Sequence, residues 1–203
     1  MFPVLTTRFN NITWNENLLY RQKFLCCIYG SPREISPKIR RDAMVYMIEM
    51  NNDLNQIIGI GLIKNRPFDR YMTSLYGNGN YTRYVYKSDC HIDRDFIRTH
   101  NPKLVEVLDL ILFKGKTHLK RGYGFVTLTD KLMRNERCSG IEIQSEIAAL
   151  FTLSVLLVER KNQNNDDETS RCVVHQTQPV PVPTRVAPPM PPTPEFIGAG
   201  IGI

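Results

Sequence analysis

The residues best suited to binding chemistry lie in a short basic, glycine-rich stretch, residues 114–124. Glycine lets a backbone approach a ligand closely, while lysine and arginine neutralise phosphate. The stretch lacks the G-x-x-x-x-G-K-[ST] pattern, so it is not a Walker P-loop. A solvated turn at the end of a helix would also carry cations, since they complement the helix dipole. Because glycines and cations coincide, we predict a loop that binds an anion, with phosphate as the anion. Its predicted contact residues are Lys114, Lys116, His118, Lys120, Arg121 and Tyr123.

A second group of candidates is rich in tyrosine and lies within residues 71–87, mixed with arginine and lysine. Aromatic rings stack on bases while neighbouring cations neutralise phosphates, which is what single-stranded nucleic acid requires. Tyrosine also suits strands for packing reasons alone, and we expect this alternative to account for at least half of the rings. The predicted base-stacking or pocket residues of this group are Tyr81, Arg83, Tyr84 and Tyr86.

Three more candidates for the pocket lie outside the tyrosine-rich segment. Trp14 is the only tryptophan, and either stacks on a ligand or packs on the body of the protein. Asn51 and Asn52 favour a turn, yet their amide groups also have the donors and acceptors that read base edges. We therefore include all three in the predicted pocket.

Signals for catalysis are sparse. The histidines have no metal-ligand spacing, and no G-x-S-x-G nucleophile motif is present. Glu49 and Asp53 beside Lys64 have no spacing that supports a nuclease. We expect a protein without catalytic residues, metal or cofactor, and retain a nuclease or phosphate-transfer enzyme as a third alternative.

Composition favours a basic domain with an anionic partner. The chain of 203 residues has 26 Lys and Arg against 20 Asp and Glu, a net charge of +6. The whole excess lies in residues 1–160, which favours a polyanion but also serves solubility. Five cysteines without a C-x-x-C pair favour a reducing compartment. No secretory signal or bilayer-spanning run is evident, so we expect an intracellular protein without a membrane partner.

The pattern of apolar runs predicts one α+β domain over residues 1–160. A polar linker follows at 161–178, and then a proline-rich and apolar tail at 179–203 that is expected to be disordered. The firmest element is a β-hairpin closed by residues 51–55. The predicted strands are 24–29, 43–50, 56–63, 81–87 and 125–128, and the predicted helices are 31–39, 102–113 and 141–160.

Residues 24–32, the short helix predicted after them, and residues 45–52 and 57–61 resemble the opening of PUA-like domains of the YTH and EVE branches. The resemblance implies a small twisted sheet or partly open barrel of about five strands with three flanking helices. It also implies a pocket for nucleic acid or a modified base. YTH proteins hold a methylated base in a tryptophan cage, whereas Trp14 is the only tryptophan here.

Residues 49–53, 80–84 and 116–122 resemble an uncharacterised protein family of large (nucleocytoplasmic) DNA viruses. This second resemblance implies a viral origin, with the host cytoplasm or the virion as the location. It leaves the function open.

These observations predict a non-enzymatic protein that binds nucleic acid, either RNA or single strands, through the basic loop and the tyrosines. The alternative is a virion-associated structural or interaction protein, whose proline-rich tail becomes ordered on a protein partner. The two hypotheses place the working residues in different parts of the chain.

Overall fold

The computed structural model describes residues 1–68, 75–77, 79–138 and 140–173. The chain divides into two units, Met1–Lys161 and Asn162–Ile203. The described part of the second unit, residues 162–173, is helical. The predicted tail at 179–203 lies outside the described residues, as does the end of the predicted linker.

The described chain contains seven strands and five α-helices. The strands are β1 (Val4–Phe9), β2 (Cys27–Ser31), β3 (Met44–Asn51), β4 (Gln56–Lys64), β5 (Tyr84–Ser88), β6 (His91–Asp93) and β7 (Val126–Thr127). The helices are α1 (Asn11–Phe24), α2 (Arg94–His100), α3 (Pro102–Phe113), α4 (Asp130–Met133) and α5 (Ile143–Val173). Short 3₁₀ turns occupy Gly79–Thr82 and Glu136–Cys138.

Five strands form a mixed sheet in the order β6-β4-β3-β1-β7. The β1–β3 pair is parallel, and the β3–β4, β4–β6 and β1–β7 pairs are antiparallel. Strands β2 and β5 pair separately as a two-stranded antiparallel sheet. A mixed α/β body with a five-stranded sheet and several helices confirms the general class predicted from sequence.

Both faces of the larger sheet are buried, and β3 shows this by alternation. Ile48 and Met50 belong to a core cluster that includes α3 and the first turns of α5. Val45 and Met47 belong to a second cluster with β2 and β5. Because successive side chains of a strand point to opposite faces, a strand covered on both sides reads as one continuous apolar run.

The structure confirms two predicted elements, and each shows the local residues that specify it. Strands β3 and β4 form the expected hairpin, and Asn55 in its loop adopts a left-handed φ of 53°. Helix α3 has the predicted bounds, with Asn101 accepting a hydrogen bond from the Leu104 N–H and Pro102 at its start. Asparagine at the cap and proline in the first turn are the usual start of a helix.

The short helix predicted at 31–39 is wrong. Ser31 is the last residue of β2, and turns and bends follow it up to β3. Its hydroxyl bonds locally instead, donating to the Arg33 carbonyl at 2.6 Å and accepting from the Arg33 N–H at 3.2 Å. A serine whose hydroxyl bonds the backbone two residues further on closes a tight turn, and its side chain no longer caps a helix.

The predicted strand at 24–29 and the N-terminal segment also need correction. Phe24 ends α1, Leu25 follows in the left-handed conformation with φ of 50°, and the strand begins at Cys27. Trp14 therefore lies on a helix, and the strand before it, β1, lies inside the sheet. Neither β1 nor α1 was predicted.

Helix α5 bears on two further expectations. The described stretch Glu136–Arg160 is long and apolar enough to cross a membrane by length and composition, whereas no such run was expected from the sequence. Ile143, Ile147 and Leu150 are buried in the core, which accounts for part of this apolar character. The helix continues through residues 161–173, the first part of the predicted polar linker.

Candidate functional site

A cavity of about 430 Å³ opens where β1, α1 and the predicted anion-binding loop meet. Strand β1 contributes Arg8 to its wall, the loop of the β3–β4 hairpin contributes Asn52, and the 3₁₀ turn contributes Tyr81. Lys120 of the basic loop lines the same cavity. Elements distant in sequence thus converge on one concave surface.

Helix α1 begins at the edge of this cavity because of a capping box. The Asn10 side chain accepts a hydrogen bond from the Thr13 N–H at 2.8 Å, and the Thr13 hydroxyl accepts from the Asn10 N–H at 3.1 Å. Both residues line the cavity. The positive end of the helix dipole therefore lies beside it, which favours a negatively charged occupant.

Arg8 is one of two cationic residues that line the cavity. Its Nη1 donates to the Thr6 hydroxyl and the Leu119 carbonyl, both at 3.3 Å, and its Nη2 donates to the Gly124 carbonyl. Among the described residues no carboxylate forms an ion pair with it. Burial lowers the pKa of this guanidinium to about 10, and the nearby Tyr81 phenol opposes the effect only in part. A half-buried cation that has only neutral acceptors is well placed to attract an anion.

Two glycines of the basic loop accommodate the Arg8 side chain. A Cβ atom at Gly122 would lie 2.5 Å from Arg8 Nη1 and 2.8 Å from a methyl group of Val126, so a side chain there would displace the guanidinium. Gly124 has a φ of +67°, a conformation that other residues rarely adopt, and its carbonyl receives the Arg8 hydrogen bond. Gly122 thus leaves room for a cation that belongs to strand β1, and Gly124 accepts one of its hydrogen bonds.

The basic loop is also joined to the hairpin loop. Asn52 Nδ2 donates to the Lys120 carbonyl at 3.0 Å, and Lys120 Nζ donates to Asn55 Oδ1 at 2.5 Å. Asn52 Oδ1 is buried without a hydrogen-bond partner in the described part of the chain. These contacts hold Lys120 at the cavity.

The other residues predicted for the anion-binding loop do not line the cavity. Lys114, Lys116 and Arg121 are exposed on the same loop. Tyr123 is also exposed, with the Arg33 guanidinium 4.8 Å from its ring centre. His118 is half-buried, and its Nδ1 has no partner among the described residues.

Of the residues predicted for the base-stacking pocket, some line the cavity and others do not. Tyr81 and Asn52 line the cavity, whereas Tyr86 is buried, packs edge-on against Phe125 and accepts a hydrogen bond from the Ile35 N–H. Tyr84 is half-buried with the exposed Arg83 over its ring.

Trp14 and Asn51 have structural contacts of their own. Trp14 packs edge-on against Phe9, and the Arg21 guanidinium lies 4.9 Å from its ring centre. Asn51 Oδ1 accepts from the N–H groups of Asp53 and Leu54, which closes the hairpin loop.

Sequence reasoning missed Arg8 and Thr13 because it missed β1 and α1. The signal was present in residues 4–13: five strand-compatible residues surround one arginine, and an asparagine with a threonine three positions later forms a cap. A cation on a strand with paired strands on both sides is at least partly buried and needs polar partners or a ligand. Such a residue is a candidate for a site.

A buried charge cluster around Glu49 was also missed. The Glu49 side chain is fully buried on β3 and accepts hydrogen bonds from Arg21 Nη2 at 2.6 Å and from the Tyr29 hydroxyl at 2.5 Å. His91 Nε2 lies 3.1 Å from the other carboxylate oxygen. A single carboxylate within the apolar run 45–50 was the available signal, since a buried charge needs partners.

Two glycines of β4 make room for this cluster. Gly59 pairs with Glu49 and Gly61 with Met47 in the β3–β4 register. A Cβ atom at Gly59 would lie 2.6 Å from His91 Nε2, and one at Gly61 would collide with the Tyr29 hydroxyl. The glycines that contribute to the PUA-like resemblance therefore have a local steric role.

The protonation states of the cluster follow from its contacts. Burial would raise the pKa of Glu49, but the charges of His91 and Arg21 and the hydrogen bonds of His91 and Tyr29 lower it to about 2. Burial, followed by the charge of Glu49, holds the pKa of Tyr29 well above its usual value. The carboxylate is thus ionised and fully engaged, as in a structural ion pair.

The cluster connects to the cavity through a series of side-chain hydrogen bonds. Arg21 Nε donates to Asn17 Oδ1 at 2.5 Å, and Asn17 Nδ2 donates to the Tyr76 hydroxyl at 2.8 Å. Tyr76 lines the cavity. The cluster therefore supports one wall of the candidate site from behind.

Arg8, Lys120 and Tyr81 together make the cavity a candidate anion site beside an aromatic ring. In the described part of the chain, no group of three or more His, Cys, Asp or Glu side chains is placed to hold a metal ion.

No protein-family model matches the chain, and no curated protein or solved structure matches it significantly.

Proposed function

We propose that this protein binds nucleic acid, either RNA or single-stranded DNA, without catalysing a reaction on it. The observation that carries the proposal is Arg8, a half-buried cation without a carboxylate partner among the described residues, facing a cavity that Lys120 and Tyr81 also line. Phosphate satisfies such a cation, and the tyrosine ring offers a surface on which a base stacks.

The exposed residues of the basic loop extend this surface. Lys114, Lys116 and Arg121 lie on the loop that contributes Lys120 to the cavity. Exposed cations near a site attract a polyanion over several ångströms and contribute binding that carries no sequence information. The net charge of +6 acts in the same direction.

Two finer expectations accompany the proposal. For a PUA-like arrangement, the five-stranded sheet with the β3–β4 hairpin inside it and helices packed beside it gives support, whereas the short helix that the resemblance includes after residues 24–32 is replaced by turns. A viral origin, with the host cytoplasm or virion as location, rests on the sequence resemblance alone. Because the Trp14 ring is occupied by Phe9 and Arg21, we do not assign it to a cage for a methylated base.

The test is equilibrium binding of the full chain to a fluorescently labelled RNA of about 20 nucleotides, a single-stranded DNA and a duplex. We expect the single strands to bind, with affinity falling steeply as salt rises. The double variant Lys120→Ala/Arg121→Ala should weaken binding to all sequences alike. The matched control is Lys103→Ala/Lys131→Ala, which removes two exposed lysines that do not line the cavity. Equal affinity of the two double variants would contradict the proposal.

A further inference from the structure

We infer that the cavity holds one nucleoside monophosphate unit, with its phosphate on Arg8 and Lys120 and its base against Tyr81. This inference rests on the proposed function and names the ligand of its central cavity. The unit is either a free nucleotide or the terminal nucleotide of a strand. Size, charge and wall chemistry support it separately.

The size of the cavity limits the occupant. At about 430 Å³ it lies near the small end of the range for ligand sites, which is roughly 300–1,000 Å³. A groove that tracks several nucleotides would need more room along the chain. The cavity therefore suits one small ligand, while the exposed loop residues Lys114 and Lys116 lie outside it.

The anionic end of the ligand is defined by Arg8. Its three hydrogen bonds, two from Nη1 and one from Nη2, occupy at most three of its five N–H donors, so at least two donors, including Nε, have no partner among the described residues. Arginine with two such donors binds phosphate in a bidentate manner. Lys120 also lines the cavity, and its Nζ, which donates to Asn55 Oδ1, supplies a second cation.

The remaining walls favour a flat group beside the phosphate. Phe9 and Tyr76 line the cavity from the buried side, with their rings 6.5 Å apart, and Tyr81 lines it with 40 % of its surface exposed. A purely inorganic anion makes no use of aromatic walls. A nucleoside monophosphate places a phosphate and a planar base within the reach of one small cavity, so it matches both kinds of wall.

The experiment measures binding of adenosine 5′-monophosphate, inorganic phosphate and adenosine to the full chain by calorimetry and thermal shift. We expect the monophosphate to bind more tightly than either fragment. Arg8→Gln should weaken it about tenfold to hundredfold, the loss typical of hydrogen bonds to a charged group. Gly122→Ala should also weaken it, because the added methyl group displaces Arg8 without removing its charge. Arg134→Gln, which changes an exposed arginine that does not line the cavity, is the control.

The source of the nucleotide is resolved by a second pair of probes, a short RNA with a 5′-phosphate and the same RNA with a 5′-hydroxyl. Preference for the phosphorylated strand that Arg8→Gln abolishes supports a terminal nucleotide. Binding of the free monophosphate without that preference supports a free nucleotide. Inorganic phosphate that binds as tightly as the monophosphate overturns the inference. Strands that bind in a salt-dependent way while the monophosphate does not bind also overturn it, yet leave the proposed function intact.

Discussion

The guanidinium of Arg21 lies 2.6 Å from the fully buried carboxylate of Glu49. The two residues come from α1 and β3, which the sequence does not place together. This ion pair forms the centre of a cluster that supports Tyr76 at the back of the cavity through Asn17. The packing of the sheet and the geometry of the candidate site therefore depend on the same buried charges.

The first prediction concerns stability. Glu49→Gln removes the charge that compensates Arg21, so it should lower the free energy of unfolding by about 3–5 kcal/mol, as when one partner of a buried pair is removed. Urea denaturation of the full chain measures the change. Glu106→Gln on the exposed face of α3 is the control and should change stability by less than about 0.5 kcal/mol. Equal stability of the two variants would show that the pair contributes little.

The second prediction concerns acid. Because the cluster lowers the pKa of Glu49 from 4.5 to about 2, the folded state favours the ionised carboxylate. This contribution is complete above pH 4.5 and disappears as the pH falls toward 2, when the carboxylate takes up a proton. The titratable and charged groups around it are Arg21, His91, Tyr29, Cys27 and, at longer range, Tyr76. We expect the free energy of unfolding to decrease over this interval, and Glu49→Gln to have a flatter profile there than the native chain.

The third prediction tests the role of the strand glycines. Gly61→Ala places a methyl group against the Tyr29 hydroxyl and should cost about 1–3 kcal/mol of stability, the usual cost of overpacking. In a Tyr29→Phe background the clashing oxygen is absent, so the same substitution should cost less. A residual cost remains, since ring atoms of Tyr29 also lie within 3.0 Å of the added carbon. Additive effects of the two substitutions would refute the proposed steric clash.

The fourth prediction separates the exposed cations from the cavity. Lys114→Ala/Lys116→Ala should reduce the slope of log affinity against log salt for single strands, by roughly 0.7 for each phosphate that the variant no longer neutralises. Binding of adenosine 5′-monophosphate should be unchanged, because neither lysine lines the cavity. Titrations at several salt concentrations measure the slope. If the variant also fails to bind the monophosphate, the two lysines belong to the cavity and the separation is wrong.

The elements predicted correctly from sequence are those whose structure depends on residues close together in the chain. The β3–β4 hairpin follows from asparagine-rich turn chemistry between two apolar runs, and α3 follows from its cap and periodicity. The helix predicted after Ser31 was wrong because the same serine also closes a tight turn. Local signals of equal strength compete there, and packing selects one of them.

The candidate site shows a similar division. The sequence by itself identified Lys120, Tyr81 and Asn52 from their chemistry, and the cavity brings them together. It also included Tyr86, which tertiary packing buries in the core, because a tyrosine pattern does not show which ring stays exposed. Predicting exposure requires knowing which element covers each face.

The tertiary structure alone decided the positions of Arg8 and Glu49. Arg8 reaches the Leu119 carbonyl of the basic loop, 111 positions along the chain, and the parallel pairing of β1 with β3 joins two further distant segments. No short window of sequence encodes such contacts, since their energy arises only when burial removes water from both partners. The sequence determined which residues can bind an anion, and the fold decided which cation lies in the cavity to receive it.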